Sequence, residues 1–163
     1  IERYEPHGTS AYEGEGFDVL DLDSELDKFF QTWNIKYIPP LDYCPYLGLQ
    51  GLEASIQENE KWDTGDPGGY CSAWSQYWAA LRLQNPDVPR KQLLEDAISH
   101  ISHFRKFIRN YAEFLISKRE ELLKGIPEDT IFFVDGEIII NPERVTVLRR
   151  HINERIRSIF RKL

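Results

Sequence analysis

"DPGGYCSAWSQYWAALRLQNP", residues 66–86, places a cysteine directly behind two glycines and a tyrosine. Trp74, Tyr77, Trp78 and Leu81 follow it at the spacing of one helix face. A helix is therefore predicted from about Tyr70 to just before Asn85 and Pro86. Cys71 falls in its first turn, and that position reads in two ways. A helix N-terminus stabilises a thiolate and makes it a better nucleophile. Gly68 and Gly69 would let backbone approach a substrate, and N–H groups there could hold an oxyanion. Free cysteine is also among the residues most often buried, and on spacing alone the core reading outweighs the chemical one.

On the N-terminal side, "IERYE", residues 1–5, reads as the end of a strand closed by Pro6 and Gly8. In "DLDSELDKFFQTWN", residues 21–34, Leu22, Leu26, Phe29, Phe30 and Trp33 share one helix face. Leu26, Phe29, Phe30 and Trp33 are expected to bury against Trp74, Tyr77, Trp78 and Leu81. "IKYIPP", residues 35–40, reads as a short strand halted by prolines, and "LQGLEASIQENEKW", residues 49–62, as a short helix.

On the C-terminal side, Leu94, Ala97, Ile101, Phe104, Ile108, Tyr111, Leu115 and Leu122 form a near-heptad seam. One long helix is predicted from about Pro89 to about Lys124, with a break expected near Asn110. "TIFFVDGEIII", residues 130–140, sets Asp135-Gly136 between two apolar runs, a strong hairpin signal. Asn141 and Pro142 then open a last helix over residues 142–162. Residues 143–163 carry seven Lys or Arg against two Glu. Val145, Leu148, Ile152, Ile156, Ile159 and Phe160 give this helix an apolar face. A basic amphipathic helix can bind nucleic acid or a membrane surface, but a core helix with a solvated basic face is the commoner case. No internal repeat is visible.

The 163 residues are 41% hydrophobic and 13% aromatic, which points to a folded chain with a real core. No run of about 18 apolar residues exists, so no membrane span is predicted. Cys44 and Cys71 are the only cysteines and form no CxxC pair. The chain starts at Ile1 and holds no methionine, which predicts a piece of a longer product. Residues 1–66 hold 15 acids against 4 bases, and residues 67–163 hold 12 against 16. The "DLDSELDKF" run alternates Asp like a calcium loop, but Leu26 stands where the obligatory glycine belongs. His100 and His103 lack further ligands at metal spacing. No cofactor and no metal are expected.

Taken together, "RYEPHG" and "GGYCSAWSQYW" resemble the cysteine peptidase superfamily of the adenovirus protease (adenain) and the SUMO proteases. The likeness is closer to peptidase-like proteins of large DNA viruses. It covers about residues 1–86. The expected fold is α+β, dominated by helices: the resemblance implies a partial papain-like core over 1–86, and the part it does not cover, 87–163, reads as a helical extension with the hairpin at 131–140 and a terminal basic helix. It implies Cys71 as nucleophile, Glu5 as the acid that orients a histidine, Gln50 (with Gln57 close behind) as the oxyanion glutamine, and Gly68 and Gly69 as backbone donors. The histidine of that superfamily precedes the acid. His7 follows it, so the base would lie upstream of Ile1, and the chain as it stands is expected to be inactive.

Two functions follow as expectations. One is a viral thiol protease, a hydrolase cleaving peptide or isopeptide bonds. The other is a virion structural protein, a minor capsid or cement protein using the same fold without activity. Partners would be a protein substrate or neighbouring virion proteins, with nucleic acid a lesser candidate. The location would be the virion or the host cytoplasm.

Overall fold

The computed structural model describes residues 1–13, 18–55, 70–134 and 137–160. Six α-helices lie among them: α1 Val19–Gln31, α2 Leu49–Ser55, α3 Cys71–Gln84, α4 Arg90–His100, α5 Phe104–Leu123 and α6 Val145–Phe160. Strands β1 Ile131–Val134 and β2 Glu137–Ile140 form a two-stranded antiparallel sheet. The contacts group into two compact units, Ile1–Ala112 and Glu113–Leu163. The division falls inside α5.

The expected papain-like α+β core is not what forms. "IERYE" and "IKYIPP" contribute one isolated parallel bridge, Glu2 to Ile38, held by Arg3 N–H to Ile38 O at 3.1 Å and Ile38 N–H to Ile1 O at 3.0 Å. Pro39 and Pro40 lack the N–H groups a longer ladder needs. Among the described residues the hairpin is the only sheet, and helices carry the remaining regular structure.

The helix starts follow from local chemistry. Asp18 caps α1 by accepting from the N–H groups of Leu20 and Asp21. Asn141 accepts from Glu143 N–H and opens the 3₁₀ turn Pro142–Arg144 that leads into α6. The expected single helix over Pro89–Lys124 is two. It breaks at Ile101–His103, where Ile101 turns extended (φ −89°, ψ 105°), and not at Asn110. The break lets Leu93, Leu94 and Ala97 of α4 and Phe104 and Ile108 of α5 all be buried. Asp135 and Gly136 lie outside the described residues, but the register Val134↔Glu137 leaves the two-residue loop that the sequence implied.

The core of unit Ile1–Ala112 is aromatic. Trp78 is stacked between Tyr4 (5.2 Å between centroids) and Tyr43 (5.6 Å). Trp74 is fully buried and stacks on Phe107 at 5.8 Å, and Tyr77 meets Phe107 edge-on at 5.0 Å. Such pairs add about 0.5–1.5 kcal/mol each beyond area burial. In unit Glu113–Leu163 the buried side chains among the described residues are Thr130 and Leu148. Arg144 pairs with Asp129 at 2.7 Å, and the His151 ring meets Leu122 O at 2.7 Å.

Candidate functional site

No hydrogen bond or ion pair joins the proposed catalytic residues to one another among the described residues. Cys71 is the first residue of α3 and is exposed. Among the described residues neither Glu5 nor Gln50 bonds to it. Gly68 and Gly69 lie outside the described residues. The Glu5 carboxylate accepts from its near neighbour His7 N–H at 3.2 Å and faces Arg3 at 3.5 Å. Gln50 is buried in α2, and its Oε1 has no hydrogen-bond partner among the described residues. A thiol that does interact with Glu5 is Cys44. Burial, partly offset by a hydrogen bond to the Glu5 backbone, pushes Cys44 up to about 11, so it stays a thiol at neutral pH.

The "EPHG" and "YLGLQG" stretches have a backbone explanation. Gly48 N–H donates to His7 O (2.8 Å) and Gln50 N–H to Pro6 O (2.9 Å). Thr9 N–H donates to Pro45 O (2.9 Å) and Ser10 N–H to Tyr46 O (2.9 Å). The two loops are clasped main chain to main chain. Gly8 has φ +84°, and a Cβ there would stand 2.3 Å from Gly48 N. A Cβ at Gly48 would stand 2.4 Å from Pro6 O. Only glycine fits on both sides. What looked like a catalytic strand end is a turn pressed against a loop.

Two charged clusters hold unit Ile1–Ala112 together. Asp23, facing inward from α1, accepts Arg3 at 2.8 and 2.9 Å, Tyr12 OH at 2.5 Å and Tyr37 OH at 2.6 Å. Burial alone would raise its carboxyl, but the hydrogen bonds from Arg3, Tyr12 and Tyr37 outweigh it and hold Asp23 below the usual carboxylate range. Burial and the bond to Asp23 raise the Tyr37 phenol to about 12. In the sequence Asp23 stands only as one member of the alternating Asp run of "DLDSELDKF". Phe30, seven residues on and so on the same side of the helix, is the sequence signal that could have found it, since Phe30 stacks on the same Tyr37 that bonds Asp23. The second cluster is buried Glu53 of α2, which meets Arg105 of α5 at 3.5 Å and accepts Trp74 Nε1–H at 3.2 Å.

The surface carries the more informative feature. Trp74 and Trp78 are buried as expected, with Phe107, Tyr4 and Tyr43 as their stacking partners. Phe29 is 56% exposed and Trp33 67% exposed, with exposed Ile35 beside them in sequence. Phe29 in the last turn of α1 and Trp33 in the turn just past its end are therefore uncovered, whereas Leu22 and Leu26 are half-buried, and Asp18, Asp21 and Glu25 lie along one flank. The reason is that Tyr4 and Tyr43 occupy the position next to Trp78 that α1 was expected to fill. Phe30 turns inward instead and stacks on Tyr37 at 5.9 Å.

Among the described residues no cluster of three or more His, Cys, Asp or Glu side chains is placed to hold a metal ion. No described helix is long and apolar enough to cross a membrane. Comparison with known proteins bears on the remaining question. The chain is similar to protein L371 of Acanthamoeba polyphaga mimivirus, which is named as an ankyrin repeat protein. The identity is 29% over 157 residues, covering 88% of this chain and 20% of the relative. The chain thus spans about a fifth of that protein's length. No protein family matches the chain, and no solved structure matches it.

These findings correct the peptidase resemblance. The matching protein is named for ankyrin repeats and not as a peptidase, and among the described residues the fold is helical without a papain-like sheet. The hydrolase reading falls with the fold that supported it. The virion structural alternative rested on the same peptidase-like fold and falls too. The mimivirus relative keeps only the viral part of the likeness.

Proposed function

We propose that this chain is a protein-interaction segment of a larger protein. The observation that carries this is the uncovered apolar patch at the C-terminal end of α1, where Phe29 of the helix and Trp33 just past it are more than half exposed. Large aromatics of this kind dominate binding energy at protein interfaces. Covering both would remove on the order of 250 Å² of apolar surface, roughly 6 kcal/mol before the cost of association. The relative's name supports the same reading, since ankyrin repeats stack into extended protein-binding surfaces.

The buried clusters make that face rigid. Asp23, on the inner side of α1, is tied to Arg3, Tyr12 and Tyr37, so α1 is fixed before any partner arrives. A surface fixed in advance loses less conformational freedom on binding. The test places a photo-crosslinking amino acid at position 33 of the full-length protein in the cells that make it. A discrete protein adduct is expected from position 33 and none from position 83, another exposed site. Equal labelling from both positions, or no protein adduct from 33, overturns the reading.

A further inference from the structure

We propose that the α1 face is covered by helix α6 of a second copy of this chain; this rests on the interaction reading above. The two surfaces match in chemistry. At the end of α1, exposed Phe29 lies one turn from Glu25, with exposed Trp33 just past the helix; the Glu25 side chain is 71% exposed, and its one ion pair among the described residues is with exposed Lys28. Such a surface pair is weak and easily exchanged. On α6, Val145 and Ile152 stand two helical turns apart and are 40% and 45% exposed. Arg149 lies between them in sequence and next to their stripe around the helix, and it has no ion-pair partner among the described residues.

The sign of the charge agrees over a longer range. Residues 1–112 hold 18 acids against 10 bases, whereas residues 143–163 hold two acids against seven bases. The lengths agree as well, 13 residues in α1 and 16 in α6. An acidic apolar face and a basic apolar helix on one chain are self-complementary between copies. Reciprocal contacts would give two identical interfaces about a two-fold axis.

The experiment is sedimentation velocity of the full chain from about 1 to 100 µM at low and high salt, with circular dichroism of each variant as a folding control. A concentration-dependent assembly that weakens with salt is expected. Trp33→Asp and Arg149→Glu should each weaken it at least about tenfold, as should Glu25→Arg, without changing the thermal melt. Combining Glu25→Arg with Arg149→Glu should regain most of the loss, because the charges are exchanged across the contact. A monomer at 100 µM, or an assembly indifferent to these variants, overturns the proposal. A position-33 adduct to a different protein alongside a monomeric chain removes only the second copy as occupant. Absence of any adduct together with a monomer removes the interaction reading as well.

Discussion

The two compact units handle apolar residues in opposite ways. Unit Ile1–Ala112 buries Trp74, Trp78, Leu49, Leu94 and Ile108, and its internal charges Asp23, Glu53 and Arg105 are paired. Unit Glu113–Leu163 leaves Phe132, Val134, Ile139, Val145 and Ile152 exposed, with Leu148 as its buried hydrophobic among the described residues. A two-stranded hairpin is marginal on its own in water, and small units bury too little surface to be robust. The contrast teaches that the first unit is stable through its own packing, while the second presents apolar surface that its own residues do not cover. The first unit also exposes single apolar side chains such as Leu41 and Leu83, but Phe29 and Trp33 pair two large aromatics at the end of α1, and that is where interaction is proposed.

The largest test of that contrast is Trp74→Ala. The side chain is fully buried, stacked on Phe107 and bonded to Glu53, so a loss of about 3–5 kcal/mol is expected in urea unfolding. A loss under about 1 kcal/mol would break the comparison, because the aromatic cluster would then not be the core. Next is Gly8→Ala. The φ of +84° and the 2.3 Å approach to Gly48 N leave no room for a methyl group, and about 2–4 kcal/mol should be lost. Chemical denaturation would read it, and a neutral outcome would mean the clasp yields freely.

Asp23→Asn should cost about 1.5–3 kcal/mol, since hydrogen bonds to a charged group are replaced by neutral ones. The same group sets an acid limit. The folded carboxyl is held below its unfolded value of about 3.9, so its contribution is full above that value and is lost as pH falls through the folded one. Unfolding measured from pH 6 downward should show the wild-type chain losing stability faster than Asp23→Asn. Parallel pH profiles would remove Asp23 as a hub. The smallest effect belongs to the exposed residues. Ile152→Ser and Trp33→Ser should each change stability by no more than about 0.5 kcal/mol. A cost comparable to that of a core substitution would show the surface to be covered within the chain, and the contrast between units would vanish.

Much of the local structure was legible. The 3.6-residue periods found α1, α3 and α6, and Asp135-Gly136 found the hairpin. The break in the Pro89–Lys124 segment was expected but misplaced, because a heptad seam runs on through Ile101 and Phe104 whether or not the backbone is continuous. The candidate site was not legible. "RYEPHG" and "GGYC" were matched as a pair because each looked like half of a catalytic centre. A short motif carries residue types but not the side-chain geometry that makes them act together.

By itself the sequence determined what nearest neighbours along the chain decide: helix faces, the caps at Asp18 and Asn141, and the two-residue turn that sets Val134 opposite Glu137. These depend on backbone periods and on side chains reaching a few residues. Only the tertiary structure decided that Cys44 interacts with Glu5, that Gly8 and Gly48 face each other across a main-chain clasp, and that Tyr4 and Tyr43 flank Trp78. The physical reason is that burial is competitive. Several aromatic residues could cover the same tryptophan, and close packing admits those that fit, leaving Phe29 and Trp33 at the surface.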